Sequence, residues 1–416
     1  MRTYILILSI GLMSLCAGCT RMAALSVVQA APELELPSVR VLISKDYDSV
    51  TVSSARTYRI DAIKAHEDTV TFYSISPMVI RRSMTGLMLI DRGWFILEMN
   101  LESIRVMPQE AGGYARIDGR PFRGELVIRA EGTKKLAVVN QLGMEPYLFG
   151  VVPREIGFSG PDMIQAIKAQ AVAARTYAFS HLGQYGAKDY DLYASTMDQV
   201  YEGVKAERPL VTAAVWATRG RVLKHDDTFI KAYYHSTCGG RTEAIDDVWG
   251  RDPQPYLVGT GDDEFCAWSN YWDWQEVISR RWLDSNVAAF VRQFNFGDPE
   301  SLGRLRKLTV SARRATGRVD ELVIEFEHGE VRAGGDRSRW AFGRPSRNSG
   351  ILPSASYTIH YDIAGANWTK VTLRGHGYGH GIGMCQCGAI GRARAGQQYE
   401  DILLHYYTGA SLDKVY

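Results

Sequence analysis

A run of alternating glycines near the C-terminus restricts the fold more than any other feature of this chain. Residues 375–384 read Gly-His-Gly-Tyr-Gly-His-Gly-Ile-Gly-Met. Glycine at every second position is unfavourable inside a helix, and it lets the backbone adopt positive φ and approach another group closely. The two imidazoles can bind ligands or transfer protons near neutral pH. We therefore expect a non-helical segment whose main chain lines a binding site; the alternative is a hairpin with two surface histidines.

The composition is that of an ordinary globular protein. The 416 residues are 46% hydrophobic and 23% charged, enough for a large core spread over two or three units. The 48 basic residues are nearly balanced by 46 acidic ones, and there is no long run of one sign. The charge pattern therefore does not favour nucleic acid or an anionic membrane surface as a partner. We expect no nucleic-acid partner.

The N-terminus is typical of an export signal. An apolar stretch over residues 4–15 is too short to span a bilayer and has the length of a secretory signal. We expect residues 1–18 to be removed and the mature protein to be periplasmic or anchored to a membrane as a lipoprotein.

The lipoprotein alternative depends on the sequence that follows. Residues 15–19 read Leu-Cys-Ala-Gly-Cys, which is similar to a bacterial lipoprotein cleavage box with Cys19 as the lipidated residue and the lipid anchor. Cys16 stands where such boxes usually carry leucine, and Ala31 offers a site for ordinary signal peptidase instead. Both forms of processing remain open at this point.

Four cysteines follow Cys19, namely Cys238, Cys266, Cys385 and Cys387. In an oxidising compartment they can make two disulfides, for example Cys238 with Cys266, although the pairing cannot be read from sequence. Cys385 and Cys387 are poorly spaced for a mutual bridge if they lie on a strand.

The N-terminal region, residues 38–124, alternates short β-rich runs with turn signals. The clearest runs are residues 39–43, 69–73 and 93–97. A strand pair at 125–129 and 135–139 follows, and no helix is expected before Pro146.

The first helix that the sequence predicts clearly extends from about Pro161 to Leu182, with Ser159 as its cap. Its apolar positions are mostly small alanines at helical spacing, which predicts close packing against a neighbouring element. Two further helices are expected at about 209–218 and 399–407.

Residues 273–356 contain strand-like runs again, among them 308–310 and 321–326, and we interpret them as a β-rich insertion or subdomain. It divides a core made of residues 125–272 and 357–416. The expected fold is therefore α+β. It has a strand-rich N-terminal portion, central helices packed on sheet around a groove, and the insertion before the glycine-histidine run.

Three segments combine polar functional groups with apolar neighbours: residues 151–155, residues 233–240 and the glycine-histidine run. Glu155 follows an apolar, strand-like stretch, so we expect it in a loop before the Pro161 helix. An apolar pocket would raise the pKa of its carboxyl group, whereas Arg154 and the nearby helix N-terminus would lower it. The sequence leaves open whether Glu155 is a proton donor or an Arg-paired structural carboxylate.

Several motifs, in order along the chain, resemble the stage II sporulation protein D family of peptidoglycan lytic transglycosylases and the related amidase-enhancer proteins. They are Asn140 with residues 145–155, residues 166–177, 199–203, 234–242, 255–257 and 376–389. The resemblance implies an exported enzyme that cuts the β-1,4 bond between N-acetylmuramic acid and N-acetylglucosamine in glycan strands stripped of stem peptides. It implies 1,6-anhydro-muramyl products and no cofactor.

The resemblance places the catalytic acid at Glu155. The residues that it suggests for the groove around the sugar are Arg175, Thr176, Tyr177, Gln199, Tyr201, His235, Ser236, His376, His380 and Gln386.

Two alternatives stay open. A non-catalytic activator of a cell-wall amidase would share these motifs and bind glycan strands without cutting them. A zinc site assembled from His235, Cys238, His376, His380 and Cys385 would instead predict a zinc-dependent hydrolase. Cys385 and Cys387 depart from the serine and aromatic residue that relatives often carry, which leaves the local ligand and redox chemistry undecided.

Overall fold

The computed structural model describes residues 37–65, 68–110, 112–157, 160–186, 188–347, 350–364 and 367–416. These residues belong to one compact α+β unit, as expected. The expected signal segment, Cys19 and the cap Ser159 lie outside the described residues. None of the helices in the described ranges is long and apolar enough to cross a bilayer.

The N-terminal region is built from strands in two sheets. The strands are β1 (Ser38–Tyr47), β2 (Ser49–Ser54), β3 (Tyr58–Ile63), β4 (Thr69–Ser74), β5 (Met78–Arg82), β6 (Leu87–Ile90), β7 (Ile96–Leu101), β8 (Ser103–Pro108), β9 (Ala115–Ile117), β10 (Arg120–Phe122), β11 (Glu125–Glu131), β12 (Lys135–Gly143) and, later in the chain, β13 (Leu192–Tyr193). One sheet has the order β13-β1-β12-β11-β8-β3-β4, the other β10-β9-β2-β5-β6-β7. The predicted pair β11 and β12 is confirmed as an antiparallel hairpin. The strand expected at 93–97 begins only at Ile96, because Trp94 has a φ of +66° in the preceding turn.

Helices α1 (Met144–Glu155), α2 (Ile164–His181) and α3 (Pro209–Ala217) follow these sheets, with 3₁₀ turns at Pro161–Met163 and Gly203–Ala206. The expected alanine helix is confirmed as α2, whose small side chains are fully buried against α1 and α3. The expectation of no helix before Pro146 is wrong. Residues 147–153 of α1 are buried on every side, and a helix without a polar face has the apolar composition of a buried strand.

Residues 221–249 form β14 (Arg221–His225), β15 (Thr228–Phe229), β16 (Tyr234–His235) and α4 (Ile245–Trp249). The region expected as a β-rich insertion then contains β17 (Asp273–Ser279), α5 (Arg280–Gln293), α6 (Pro299–Leu302), β18 (Leu305–Arg313), β19 (Val319–Phe326), β20 (Gly329–Gly334) and α7 (Ser338–Phe342), with 3₁₀ turns at Gly335–Arg337 and Pro345–Arg347. Its apolar side chains form a hydrophobic cluster together with Tyr357, Val371 and Leu373 from the two strands that follow. Sequence reasoning missed α5, although its buried Leu283, Val287, Phe290 and Val291 follow helical spacing. The domain boundaries themselves stay a prediction.

The C-terminal part comprises β21 (Tyr357–Ala364), β22 (Asn367–His376), β23 (Met384–Cys385), α8 (Gln386–Arg394), α9 (Tyr399–Tyr406) and β24 (Ser411–Lys414). The helices expected at 209–218 and 399–407 are confirmed as α3 and α9. Strands β16 and β23 pair in parallel, which places the end of the glycine-histidine run beside the 233–238 segment.

The glycine-histidine run is non-helical, as expected, and its glycines pack closely against other residues of the protein. Gly379 and Gly383 have φ of +110° and +70°. A Cβ at Gly383 would lie 2.1 Å from the carbonyl oxygen of Tyr233, and one at Gly379 would lie 2.8 Å from the Cβ of His235. These two glycines therefore let the main chain pack against the 233–238 segment. Gly379 also lines a cavity, so the expected exposure of main chain to a site is found at this residue.

Candidate active site

A cavity of about 750 Å³ opens where α1, α2, the 233–236 segment and the glycine-histidine run meet. Aromatic rings dominate its lining: Tyr177, Tyr233, Tyr234, Trp249, Trp268 and Tyr378. Polar side chains accompany them, among them Glu155, Asp198 and Gln386, and a pocket that combines rings with convergent polar groups is typical of ligand sites. Six of the residues suggested from sequence line this cavity: Glu155, Tyr177, His235, Ser236, His380 and Gln386.

Glu155 is the last residue of α1 rather than part of a loop, which corrects its expected position. Its Oε1 atom accepts a 2.6 Å hydrogen bond from the backbone N–H of Val200. Its main-chain carbonyl accepts a 2.9 Å bond from the side-chain amide of Gln386, which also donates to Gln170. The end of α1 and the start of α8 are thereby fixed to each other at the cavity wall.

Burial raises the pKa of Glu155 to about 7, although the N–H of Val200 and the charge of Arg154 act to lower it. Arg154 lies instead 3.4 Å from a carboxylate oxygen of Glu202. Glu155 is therefore not paired with Arg154, and burial has the largest effect on its pKa. A carboxyl group with this pKa exchanges its proton readily at neutral pH.

Two histidines of the cavity lining are held in their neutral forms. Burial lowers the pKa of His380 to about 4 and that of His235 well below its usual value. The N–H of Ile382 donates to Nδ1 of His380, which assigns the proton of His380 to Nε2, where it bonds the carbonyl of Tyr234. His235 bonds the carbonyl of Ile382 through Nδ1. Their role at the cavity is that of neutral, oriented rings.

A second carboxylate, Asp198, lines the same cavity but is saturated with donors. It accepts hydrogen bonds from the hydroxyls of Tyr177 and Tyr185, the amide of Gln184 and the backbone N–H of Tyr193, at 2.8 to 3.2 Å. Four donors occupy the lone pairs of a carboxylate. Asp198 therefore orients the rings of the wall and is not free to act as a base or nucleophile.

Arg175 and Thr176 do not line the groove, contrary to expectation. Arg175 is fully buried and donates to both carboxylate oxygens of Glu145, at 3.0 and 2.6 Å. The hydroxyl of Thr176 donates to Val172 and accepts from the N–H of Leu223. Because all these groups are satisfied inside the core, they hold α2 against α1 and β14.

Gln199 and Tyr201 are also buried below the cavity wall rather than in it. Gln199 accepts from Tyr147 and donates to the hydroxyl of Tyr234 at 3.0 Å, so it positions a ring that does line the cavity. The hydroxyl of Tyr201 donates to Asn140 at 2.7 Å. The family motif that contains these residues therefore supports the site from behind.

His376 points away from the cavity, and its Nδ1 lies 2.8 Å from Asp273 on an exposed surface. The five-residue metal site considered from sequence is therefore not assembled. The considered disulfide is not formed either, since the Sγ atoms of Cys238 and Cys266 are 3.4 Å apart.

Sequence reasoning missed two aromatic residues that line the cavity where it opens to solvent. Trp268 and Tyr378 are 47% and 37% exposed although both are large and apolar. Trp268 is held by a bond from its indole N–H to the carbonyl of Cys387, and Tyr378 packs on Tyr271 with ring centroids 4.4 Å apart. The only sequence signal for Tyr378 is its place between the two histidines.

Comparisons with known proteins agree with this architecture. Residues 132–225 match a family model described as stage II sporulation protein, and residues 266–383 match one described as a domain of unknown function. The chain is 31% identical over 278 residues to an uncharacterized protein of Brachyspira hyodysenteriae, covering 67% of this chain and 68% of that one. It is 28% identical over 414 residues to the amidase enhancer of Bacillus subtilis, covering 88% and 56% of the two chains.

A third relative is stage II sporulation protein D of Bacillus subtilis, 25% identical over 293 residues that cover 66% of this chain and 76% of the relative. This chain belongs to the stage II sporulation protein D and amidase enhancer family. The matched range 132–225 contains α1, α2 and Glu155, so the family region includes one wall of the cavity. The alignment with the amidase enhancer spans just over half of that protein.

Proposed function

We propose that this protein is an exported peptidoglycan lytic transglycosylase. It cleaves the β-1,4 bond between N-acetylmuramic acid and N-acetylglucosamine in glycan strands free of stem peptides. The observation that carries the proposal is a single carboxyl group, Glu155, with a pKa of about 7 in a cavity lined by aromatic rings. Sugars stack on such rings through their apolar faces, and the cavity volume suits a short glycan segment.

In the proposed reaction, Glu155 first donates its proton to the glycosidic oxygen, whose bond to the muramyl anomeric carbon breaks so that it leaves as the 4-hydroxyl of N-acetylglucosamine. Because Val200 donates its N–H to Oε1, the proton is carried by the other oxygen, Oε2. The resulting carboxylate then takes the proton of the muramyl 6-hydroxyl, whose oxygen bonds to the anomeric carbon and closes the 1,6-anhydro ring. One residue thus acts as acid and then as base.

The state of Asp198 supports a mechanism with one acid. Glycosidases that use water need a second free carboxylate as base or nucleophile. The only other carboxylate in the described lining, Asp198, already accepts four hydrogen bonds. An intramolecular hydroxyl as nucleophile removes the need for it.

The test uses purified mature protein and stem-peptide-free glycan strands, with products analysed by mass spectrometry. Wild type should produce anhydro-muramyl ends, and Glu155→Gln should bind strands without cutting them. Glu202→Gln is the matched control, since Glu202 pairs with Arg154 outside the cavity lining. Cleavage that persists in Glu155→Gln, or products with reducing ends, would refute the assignment.

The alternative is an activator that binds glycan strands and stimulates a cell-wall amidase, which the name of the amidase enhancer favours. It predicts intact strands in the first assay and faster release of stem peptides when an amidase is added. The proposed location, periplasmic or anchored through Cys19, is common to both functions; metabolic labelling with a fatty-acid analogue, compared between wild type and Cys19→Ser, tests the anchor.

A further inference from the structure

Four buried side chains outside the cavity bring together the ligand atoms that zinc prefers. The Sγ atoms of Cys238, Cys266 and Cys385 and a carboxylate oxygen of Asp262 all lie within 4.8 Å of one another. Cys238 Sγ is 3.4 Å from Cys266 Sγ and 3.1 Å from Asp262 Oδ2. Tetrahedral zinc, with bonds of about 2.3 Å to sulfur and about 2.1 Å to oxygen, places such ligand atoms about 3.6–3.8 Å apart. We propose that these four residues bind one structural Zn²⁺.

The backbone around the cluster is arranged for negatively charged sulfur. The N–H groups of Cys238 and Gly388 each donate to Cys385 Sγ at 3.2 Å. The N–H groups of Gly239 and Gly240 lie near Cys266 Sγ. Successive N–H groups aimed at one atom form an anion-binding concavity, and zinc is bound by thiolates rather than thiols. Apolar packing of neutral cysteines requires no such donors.

Asp262 is oriented as a metal-binding carboxylate would be. Its Oδ1 atom accepts hydrogen bonds from the hydroxyl of Tyr406 at 2.5 Å and from Nε of Arg392 at 3.4 Å. Oδ2 remains directed at Cys238 Sγ. Hydrogen bonds to the other oxygen commonly fix a ligating carboxylate, and the charge of Arg392 offsets the excess negative charge of three thiolates and a carboxylate around one Zn²⁺.

The cluster joins three segments that build the cavity: the chain after β16, the loop that carries Asp262 and Cys266, and the start of α8. Trp268 follows Cys266 by two residues, and Gln386 is next to Cys385. Both line the cavity. The proposed zinc therefore braces the cavity wall from behind and does not contact substrate. A disulfide between Cys238 and Cys266 would account for only two of the four groups.

The test is elemental analysis of the mature protein, purified without chelator or affinity metal. We expect about one zinc per chain in wild type and in Cys387→Ser, the matched control. Cys387 lies next to the cluster but outside it, where Thr237 donates to its sulfur. Cys266→Ser should lose at least 80% of the zinc. Cobalt added to the chelator-treated wild type should produce the visible bands of tetrahedral thiolate coordination.

A second readout separates zinc from a disulfide without relying on a variant that folds. Denatured, alkylated wild type should carry four modified cysteines in the mature region, apart from Cys19. Only two modified thiols together with a Cys238–Cys266 linked peptide would overturn the proposal. So would four free thiols with no bound metal, or full zinc content in Cys266→Ser.

Discussion

Replacing Glu155 by glutamine should stabilise the protein at alkaline pH although it removes the proposed acid. Burial raises the pKa of this group from 4.5 to about 7, which corresponds to roughly 3 kcal/mol of unfavourable ionisation. We take ~2 kcal/mol, because the side chain is partly exposed to solvent in the cavity. Glutamine keeps an oxygen for the N–H of Val200 and cannot ionise.

The sign follows from proton linkage. A carboxyl group with a raised pKa in the folded state binds its proton more tightly in the native than in the unfolded chain. Its contribution to stability is intact below about pH 4.5 and is lost as the pH rises through about 7. The variant escapes this loss, so its melting temperature relative to wild type should rise between pH 4.5 and pH 8.5. For a unit of this size, ~2 kcal/mol is about 2–3 °C.

The assay is thermal unfolding of wild type, Glu155→Gln and Glu202→Gln at several pH values between about 4.5 and 8.5. Effects of all other titrating groups cancel in the difference between each variant and wild type. Glu202→Gln is the control for removing a carboxylate that lies outside the cavity lining, where it pairs with Arg154. A difference for Glu155→Gln that is flat, or that falls toward alkaline pH, would refute the argument from burial.

Three further perturbations test the architecture. Arg175→Met leaves the carboxylate of Glu145 buried without its partner, so the free energy of unfolding should fall by about 3–5 kcal/mol. The melting temperature should fall by about 4–6 °C, and the affinity for glycan should not change. Weaker glycan binding at unchanged stability would instead indicate a substrate role for Arg175. Trp268→Ala removes an exposed ring from the cavity and should weaken glycan binding about threefold to tenfold in calorimetry, whereas equal affinity would exclude this wall. Gly383→Ala forces a Cβ against the carbonyl of Tyr233 and should lower the melting temperature at every pH; a fully stable variant would contradict the packing described for the glycine-histidine run.

Local sequence signals predicted elements whose residues strongly favour one backbone conformation. The alanines of α2 are an example: alanine is the strongest helix former, and the run predicts the helix although residues 169–178 are buried on every side. The hairpin of β11 and β12 is another, because two β-rich runs are separated by a turn that contains glycine. The same reasoning failed for α1, which is buried all round, and it did not identify α5 within the insertion. Burial on every side removes the periodic signal from α1, whereas α5 carries a helical period that predicts it.

Among the site residues, the sequence identified Glu155 and the glycine-histidine run through their chemistry and their resemblance to the family. It did not distinguish His380, which lines the cavity, from His376, which faces solvent four residues earlier. It also placed Arg175 at the groove, where the structure buries it against Glu145. A motif records that a residue type is needed at a position and does not record which way the side chain points.

The sequence by itself determined the α+β class and the family, and it singled out the carboxyl group of Glu155 as the candidate acid. Only the tertiary structure decided that this group is enclosed enough to hold a proton near neutral pH, because the enclosing groups come from α1, the 196–200 segment and α8. It also decided that Cys238, 147 residues from Cys385, meets it beside Asp262 and Cys266. Burial and ligand clusters depend on contacts between distant parts of the chain, and these contacts exist only once the chain has folded.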